Sequence, residues 1–351
     1  MLGNKTTTAI LMAILAAALY GLSSPLSKLL LAEIPPTLMA ALLYLGAGFG
    51  MLMVNLQKVL SGQEQLEAKM TKKELPYIVG MIVLDIAAPI LLMIGLTLTT
   101  AENASLLNNF EIVVTSLIAL FVFKEAIGRR MWIAILLITL SSIILSVEDL
   151  SSFTFSVGSI FVIAACFCWG FENNCTRMLS IKDPLQIVVV KGFGSGIGSL
   201  LISFVVKQYS SNVTYILLAL ILGFVAYGLS IFFYIKAQRE LGASRTSAFY
   251  ATAPFIGVVI SWLVLQETIT LSFLAALIIM LMGTYLAISE KHKHVHIHAK
   301  VNHEHSHNHE DGHHNHKHET VIVGEHNHEH DHEVIEHSHS HTPDSHHRHT
   351  H

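Results

Sequence analysis

Through residue 289 the chain is a series of long apolar runs separated by short polar breaks, and after that it is polar throughout. A membrane-crossing helix needs about 20 mostly apolar residues. Ten such runs are read, at 9–31, 36–56, 75–96, 101–123, 131–147, 157–178, 185–206, 213–235, 243–265 and 271–289. The longest break, 57–74, is a polar loop, and the others leave no room for an extramembrane domain. The first run is too long for a signal-peptide core, and no A-x-A-like site follows it, so it predicts an uncleaved first span. Positively charged loops stay on the cytoplasmic side. Lys58, Lys69, Lys72 and Lys73 follow the second run, Lys124, Arg129 and Arg130 the fourth, and Arg177 and Lys182 the sixth. Lys236, Arg239 and Arg245 lie around the eighth and ninth. Breaks of the other parity hold Lys207 and, at a helix end, Lys28, together with Glu148 and Asp149. This bias of about twelve to two predicts a plasma-membrane protein with both termini cytoplasmic.

An internal repeat overlies the ten runs. Tyr20-Gly21 with Ser27-Lys28 matches Trp169-Gly170 with Thr176-Arg177 at an offset of 149. Gly46, Gly48 and Gly50 match Gly194, Gly196 and Gly198 at 148. Ala101, Ser105 and Glu125 match Ala243, Ser247 and Glu267 at 142. Each half then holds five spans, an odd number, so the second enters the membrane from the opposite side. That is the inverted-repeat plan of secondary transporters, whose substrate site lies near mid-membrane between the halves. The expected fold is an all-α polytopic membrane protein of ten transmembrane helices in two inverted five-helix repeats, 1–148 and 149–290, followed by a disordered tail, 291–351.

Composition narrows the function classes. Hydrophobic residues make up 52% and charged residues 13%, against about 25% charged in soluble domains. A soluble enzyme and a nucleic-acid binder are excluded on that ground. Cys166, Cys168 and Cys175 share one apolar run and indicate no disulfide framework. All 23 His follow residue 291, so an intramembrane His–metal enzyme or Ser–His dyad has no histidine to use. Asp85 is the lone Asp within a span, one short of an aspartyl protease pair. No enzyme is expected, and no cofactor is required.

The stretch 96–144 carries Thr-Ala-Glu-Asn-Ala-Ser near its start and Phe-Lys-Glu at a helix end. The stretch 241–288 carries Gly-Ala-Ser-Arg-Thr-Ser and Leu-Gln-Glu. Both resemble EamA-type modules of the drug/metabolite transporter superfamily, and the resemblance covers about residues 9–289. It implies ten helices, transport of small solutes, often export, and a cavity shared by both halves. The His-rich tail is no part of that family pattern.

An ionisable residue inside a span is a functional candidate by default, because its burial in hydrocarbon is costly. Asp85 and Glu111 fall near the middle of the third and fourth spans, Lys191 in the seventh, and Glu172 with Asn173 and Asn174 in the sixth. Asn108, Glu111 and Thr115 share one helix face by spacing. Their setting allows a buried pair of Lys191 with Glu111 or Asp85 that only fixes packing. It equally allows either acid to carry a coupling proton. Ser23 and Ser24, just before Pro25, are candidate cavity groups, as are Tyr227, Tyr234 and Tyr250. Pro25, Pro89 and Pro254 can kink their helices and free carbonyls. Glu125 and Glu267 read as structural, and the glycine ladders as helix-packing surfaces.

The tail mixes its His with Gly, Asn, Ser, Asp and Glu and has no aromatic residue, so it builds no packed core. Its His-x-His pattern suits Zn, Ni or Co, and neutral imidazole is the ligand. The ligands read here are His292, His294, His296, His298, His303, His305, His307, His309, His313, His314, His316, His318, His326, His328, His330 and His332. The leading expectation is a secondary carrier, an exporter of small organic metabolites, with a metal-binding tail. The alternative is a carrier of divalent transition metals that uses the tail as reservoir or sensor. Expected partners are the lipid bilayer, a small-molecule solute and divalent transition-metal ions at the tail, with no nucleic acid; a homodimer is compatible with the sequence.

Overall fold

The computed structural model describes residues 2–61, 70–123, 128–149, 154–179, 182–241, 246, 249–266 and 269–289, together with four short tail strands. The helices with bounds among the described residues are α1 Leu2–Gly21, α2 Ser23–Leu30, α3 Pro36–Leu60, α4 Leu75–Leu98, α5 Ala101–Leu107, α6 Phe110–Phe123, α7 Arg129–Ser146, α8 Val157–Leu179, α9 Pro184–Val205, α10 Val213–Gly223, α11 Ser230–Leu241, α12 Ala253–Leu265 and α13 Leu271–Ile288. A short antiparallel pair, β1 Val147–Asp149 and β2 Thr154–Phe155, joins α7 to α8. Several helix starts carry their own signals. Thr100 accepts from the Asn103 amide, Asp183 from the Leu185 amide and Thr270 from the Phe273 amide, each satisfying a donor that has no partner within the helix.

Among the described residues eight stretches are long and apolar enough to cross a membrane: Thr7–Leu30, Pro36–Leu60, Lys72–Leu98, Ala101–Val122, Arg129–Ser146, Pro184–Val205, Val213–Ala237 and Leu271–Ile288. The sequence predicts ten. The two outside this set have plain causes. The C-terminal half of α8 carries Glu172, Asn173, Asn174 and Thr176, which lower its hydropathy. The apolar helix α12 is short, 13 residues. Large apolar side chains face outward, among them Met53, Phe121, Leu136 and Leu271, each more than two-thirds exposed. That surface is what lipid, rather than water, covers.

Helices far apart in sequence pack in matched pairs: α4 on α8 and α1 on α11, α3 on α9, and α7 on α13. Glycine permits the closest approaches. A side chain at Gly46 would lie 2.0 Å from the Leu220 carbonyl oxygen, and one at Gly223 2.0 Å from that of Leu43. The ladders noted in the sequence thus serve helix contact.

Several spans are interrupted, the ninth among them at Ala251-Thr252, where the Thr252 amide bonds the Phe249 carbonyl three residues back. The first breaks at Leu22, between α1 and α2. The fourth breaks at Asn108-Asn109, where the Glu111 amide bonds the Asn108 carbonyl and the Ile112 amide that of Asn109, three residues back instead of four. This leaves the Leu107 carbonyl without its helical donor, and the Cys166 thiol of α8 lies 3.6 Å from it. The eighth span widens into a π-helical segment, Phe224–Leu229.

Contacts at the two ends agree with the loop parity. Lys182 pairs with Glu74 at 3.7 Å, the Met70 amide donates to Gln186, and Arg130 donates to the Ser289 carbonyl. At the other end Lys28 donates to the carbonyls of Leu96 and Thr99, and the Thr37 amide to Gln208.

In the tail, β3 His292–Ile297 pairs antiparallel with β6 Glu336–His341, and β4 Asn302–His307 with β5 His326–Asp331. The sequence predicts no order here. The paired segments nonetheless share the alternating His-x-His pattern, whose period of two matches a strand. His298, His309, His313, His314, His316, His318 and His332 lie outside the described residues, as do Glu125 and Glu267.

Candidate functional site

The polar groups inside the helical body meet in two neighbouring clusters. The first is ionic. Asp85 lies ten residues into α4 and Lys191 seven into α9, depths of about 15 and 10 Å at 1.5 Å per residue. Glu172 lies seven residues before the end of α8, a similar depth counted from the same side. The Lys191 ammonium is 3.0 Å from Asp85 Oδ2 and 2.9 Å from Glu172 Oε1. Lys191 is 8% exposed, Glu172 2% and Asp85 0%, so the ion triad is cut off from bulk solvent. The Tyr44 hydroxyl of α3 donates to Asp85 Oδ1 at 2.9 Å, and the Thr176 hydroxyl to Glu172 one turn along α8. Pro89 has no amide hydrogen, so the Asp85 carbonyl lacks its helical donor.

The sequence allows Lys191 a partner in Glu111 or Asp85. The structure gives it Asp85 and Glu172. Glu111 stands one step away, at the start of α6, where the Asn173 amide donates to it and reaches Thr115 Oγ1 at 3.4 Å. Among the described residues no basic side chain comes within ion-pairing distance of Glu111.

The second cluster is aromatic and hydroxylic. Ser23 donates to the Tyr227 hydroxyl at 3.1 Å. Tyr227 sits in the π segment, with ring centroids 5.3 Å from Tyr44 and 5.9 Å from Tyr20. Tyr20 stacks on Tyr250 at 5.6 Å, and Tyr250 meets Tyr234 edge-on at 4.8 Å. The hydroxyls of Tyr250 and Ser230 lie 3.3 Å apart. Beside Tyr20 is a small space of about 10 Å³, lined also by Ser24, Ser105 and Asn108, room for roughly one water. Toward the end that carries Lys28 a larger cavity of about 520 Å³ opens between Thr97, Thr99, Thr100, Asn103 and Ser156.

Asp85, Glu172 and Lys191 form the ionic cluster with Glu111 and Asn173 beside it, Ser23, Tyr227, Tyr234 and Tyr250 the aromatic one with Ser24 and Asn108 beside it, and Asn174 donates to the Gly170 carbonyl and joins neither. Tyr44, Tyr20 and Ser230 complete them without having been singled out as site residues. Tyr44 had a signal, as the one polar-tipped side chain in the apolar stretch between Thr37 and Asn55 of α3. Cys166 serves the break in the fourth span. Among the described residues no three His, Cys, Asp or Glu side chains converge as a metal site. Of the tail ligands, His292, His294, His296, His303, His305, His307, His326, His328 and His330 fall in strands; pairing places His303 opposite His330, His305 opposite His328 and His307 opposite His326.

A family model described as the EamA-like transporter family matches the chain twice, over residues 7–147 and 156–289. The chain belongs to the EamA-like transporter family. An uncharacterised transporter of Methanothermobacter thermautotrophicus is 27% identical over 289 residues, covering 78% of this chain and 84% of its own. The uncharacterised transporter YyaM of Bacillus subtilis is 22% identical over 208 residues, 56% of this chain and 68% of its own. A crystal structure at 16% identity shares the fold, with a TM-score of 0.58 over 80% of this chain and 96% of that one. This EamA-like protein is thus a multi-pass membrane transporter, and its buried polar clusters lie among the helices that the family model spans.

Proposed function

We propose that this EamA-like chain is a secondary transporter that exports small organic metabolites by alternating access across the plasma membrane, with both termini cytoplasmic. The observation that carries it is the ion triad Asp85–Lys191–Glu172, built from three helices on both sides of the chain's midpoint. A buried ion pair is a poor source of stability, so a triad placed deep in apolar helices is best understood through what it does. Movement of the two halves separates or rejoins its members, which ties access to charge. Asp85 and Glu111 are the acids that exchange a coupling proton.

Ten spans in two inverted repeats suit this mechanism. Under that plan the pairing of α4 with α8 corresponds to α1 with α11, and α3·α9 and α7·α13 each correspond to themselves. The double family match supports the same division. Interrupted helices with freed backbone groups are the usual makings of a transporter site, and π segments recur at functional sites. Solute entry into proteoliposomes tests the reading: protein-dependent movement of amino acids or amines is expected, and none with any solute or metal would refute it.

The paired His of the tail favour a second reading, divalent transition-metal transport with residues 291–351 as ion reservoir or sensor. Truncation before residue 291 would then weaken metal transport at low free metal, whereas the organic-solute carrier retains its transport.

A further inference from the structure

We propose that the small space between α2, α5 and α12 receives the ammonium head of an amine solute, with Glu111 as its counter-ion. The assignment rests on the transporter reading and narrows its substrate class. Ser105 Oγ and Asn108 Oδ1 line or border this space, both side chains are at least nine-tenths buried, and neither atom has a hydrogen-bond partner. Such atoms in a native interior call for an explanation. An amide oxygen only accepts, so what Asn108 lacks is a donor. A space of about 10 Å³ matches a head the size of one water, and –NH₃⁺ is that size and carries three donors.

The charges point the same way. Lys191 is committed to Asp85 and Glu172. Among the described residues Glu111 accepts from the neutral amide of Asn173 and pairs with no basic side chain, so its charge is available to a cation. It lies three residues beyond Asn108, across the break in the fourth span. Tyr20 borders the same space and belongs to the tyrosine cluster, and aromatic faces attract cations. A carboxylate solute would instead meet the acceptor Asn108 and the negative Glu111. Ser24 of the small space and Lys28 of the 520 Å³ cavity lie one turn apart on α2, so the two spaces are neighbours along that helix.

Binding to the purified full chain tests this, with n-butylammonium, butyrate and n-butanol as four-carbon probes of different head group in titration calorimetry. Only n-butylammonium is expected to bind, and Glu111→Gln and Asn108→Leu are each expected to weaken it at least tenfold. Equal binding of butyrate, or unchanged affinity in Glu111→Gln, would overturn the assignment. Should Glu111→Gln fail to accumulate, Asn108→Asp adds a carboxylate at the same place and is expected to tighten n-butylammonium; unchanged or weaker binding counts against the site. Counterflow in proteoliposomes separates the two levels of inference. Movement of neutral or anionic solutes without n-butylammonium binding removes the amine assignment and leaves the transporter standing. No solute movement removes the transporter itself.

Discussion

Lys191 shows most plainly what single residues do here. Its ammonium lies within 3.0 Å of two carboxylates that are almost wholly withdrawn from solvent. Removing one member of a buried ion cluster leaves the others uncompensated, at a cost of about 3–5 kcal/mol. Lys191→Met is therefore expected to destabilise the protein by about that much, and adding Asp85→Asn to recover part of the loss. Denaturant unfolding in detergent measures both; a Lys191→Met protein as stable as the wild type would show the triad carries no charge. Asp85, Glu111, Glu172 and Lys191 were all legible as charges inside apolar runs. Lys191 with Asp85 was one of the two pairings the sequence allowed; Glu172 as its second partner was not legible, because that depends on the rotation and depth of α8 and α9. Tyr44 was legible only as an oddity in an apolar helix, since its meaning comes from Asp85, 41 residues away.

At the level of elements, the fold depends on close helix approach and on deliberate interruptions. Gly46 and Gly223 each face a backbone carbonyl, of Leu220 and Leu43, with no room for a methyl group. Gly46→Ala or Gly223→Ala must push α3 and α10 apart, and overpacking of this kind costs about 1–3 kcal/mol. A lower melting temperature in both variants is expected, with Gly62→Ala in the polar loop as the comparison; equal loss in all three would remove the helix-contact explanation. Span positions followed closely from the apolar runs: 36–56 became Pro36–Leu60 and 271–289 became Leu271–Ile288. The break at Asn108-Asn109 and the π segment at Phe224–Leu229 were not foreseen. Neither contains proline, and each meets a partner distant in sequence, Cys166 at the first and Ser23 at Tyr227 in the second.

For the whole molecule, the two ends of the helices carry opposite loop charge, and the side-chain contacts at each end join loops of the same parity. Single cysteines placed at Glu148 or Asp149 should react with an impermeant reagent added outside cells, and cysteines at 62–69 or in the tail should not. Outside labelling of the tail would reverse the topology. The full chain should bind several Zn²⁺ or Ni²⁺ more than residues 1–290 alone, and release them below about pH 6, where protons take the imidazole nitrogens. Equal metal binding by both would leave the tail no role as a ligand. Transport that depends on the buried acids Asp85 and Glu111 is tested most directly by solute counterflow in proteoliposomes of Asp85→Asn and Glu111→Gln beside the wild type. Both variants should insert at normal density and lose at least nine-tenths of the protein-dependent flux; normal flux with normal pH dependence in both would contradict that dependence.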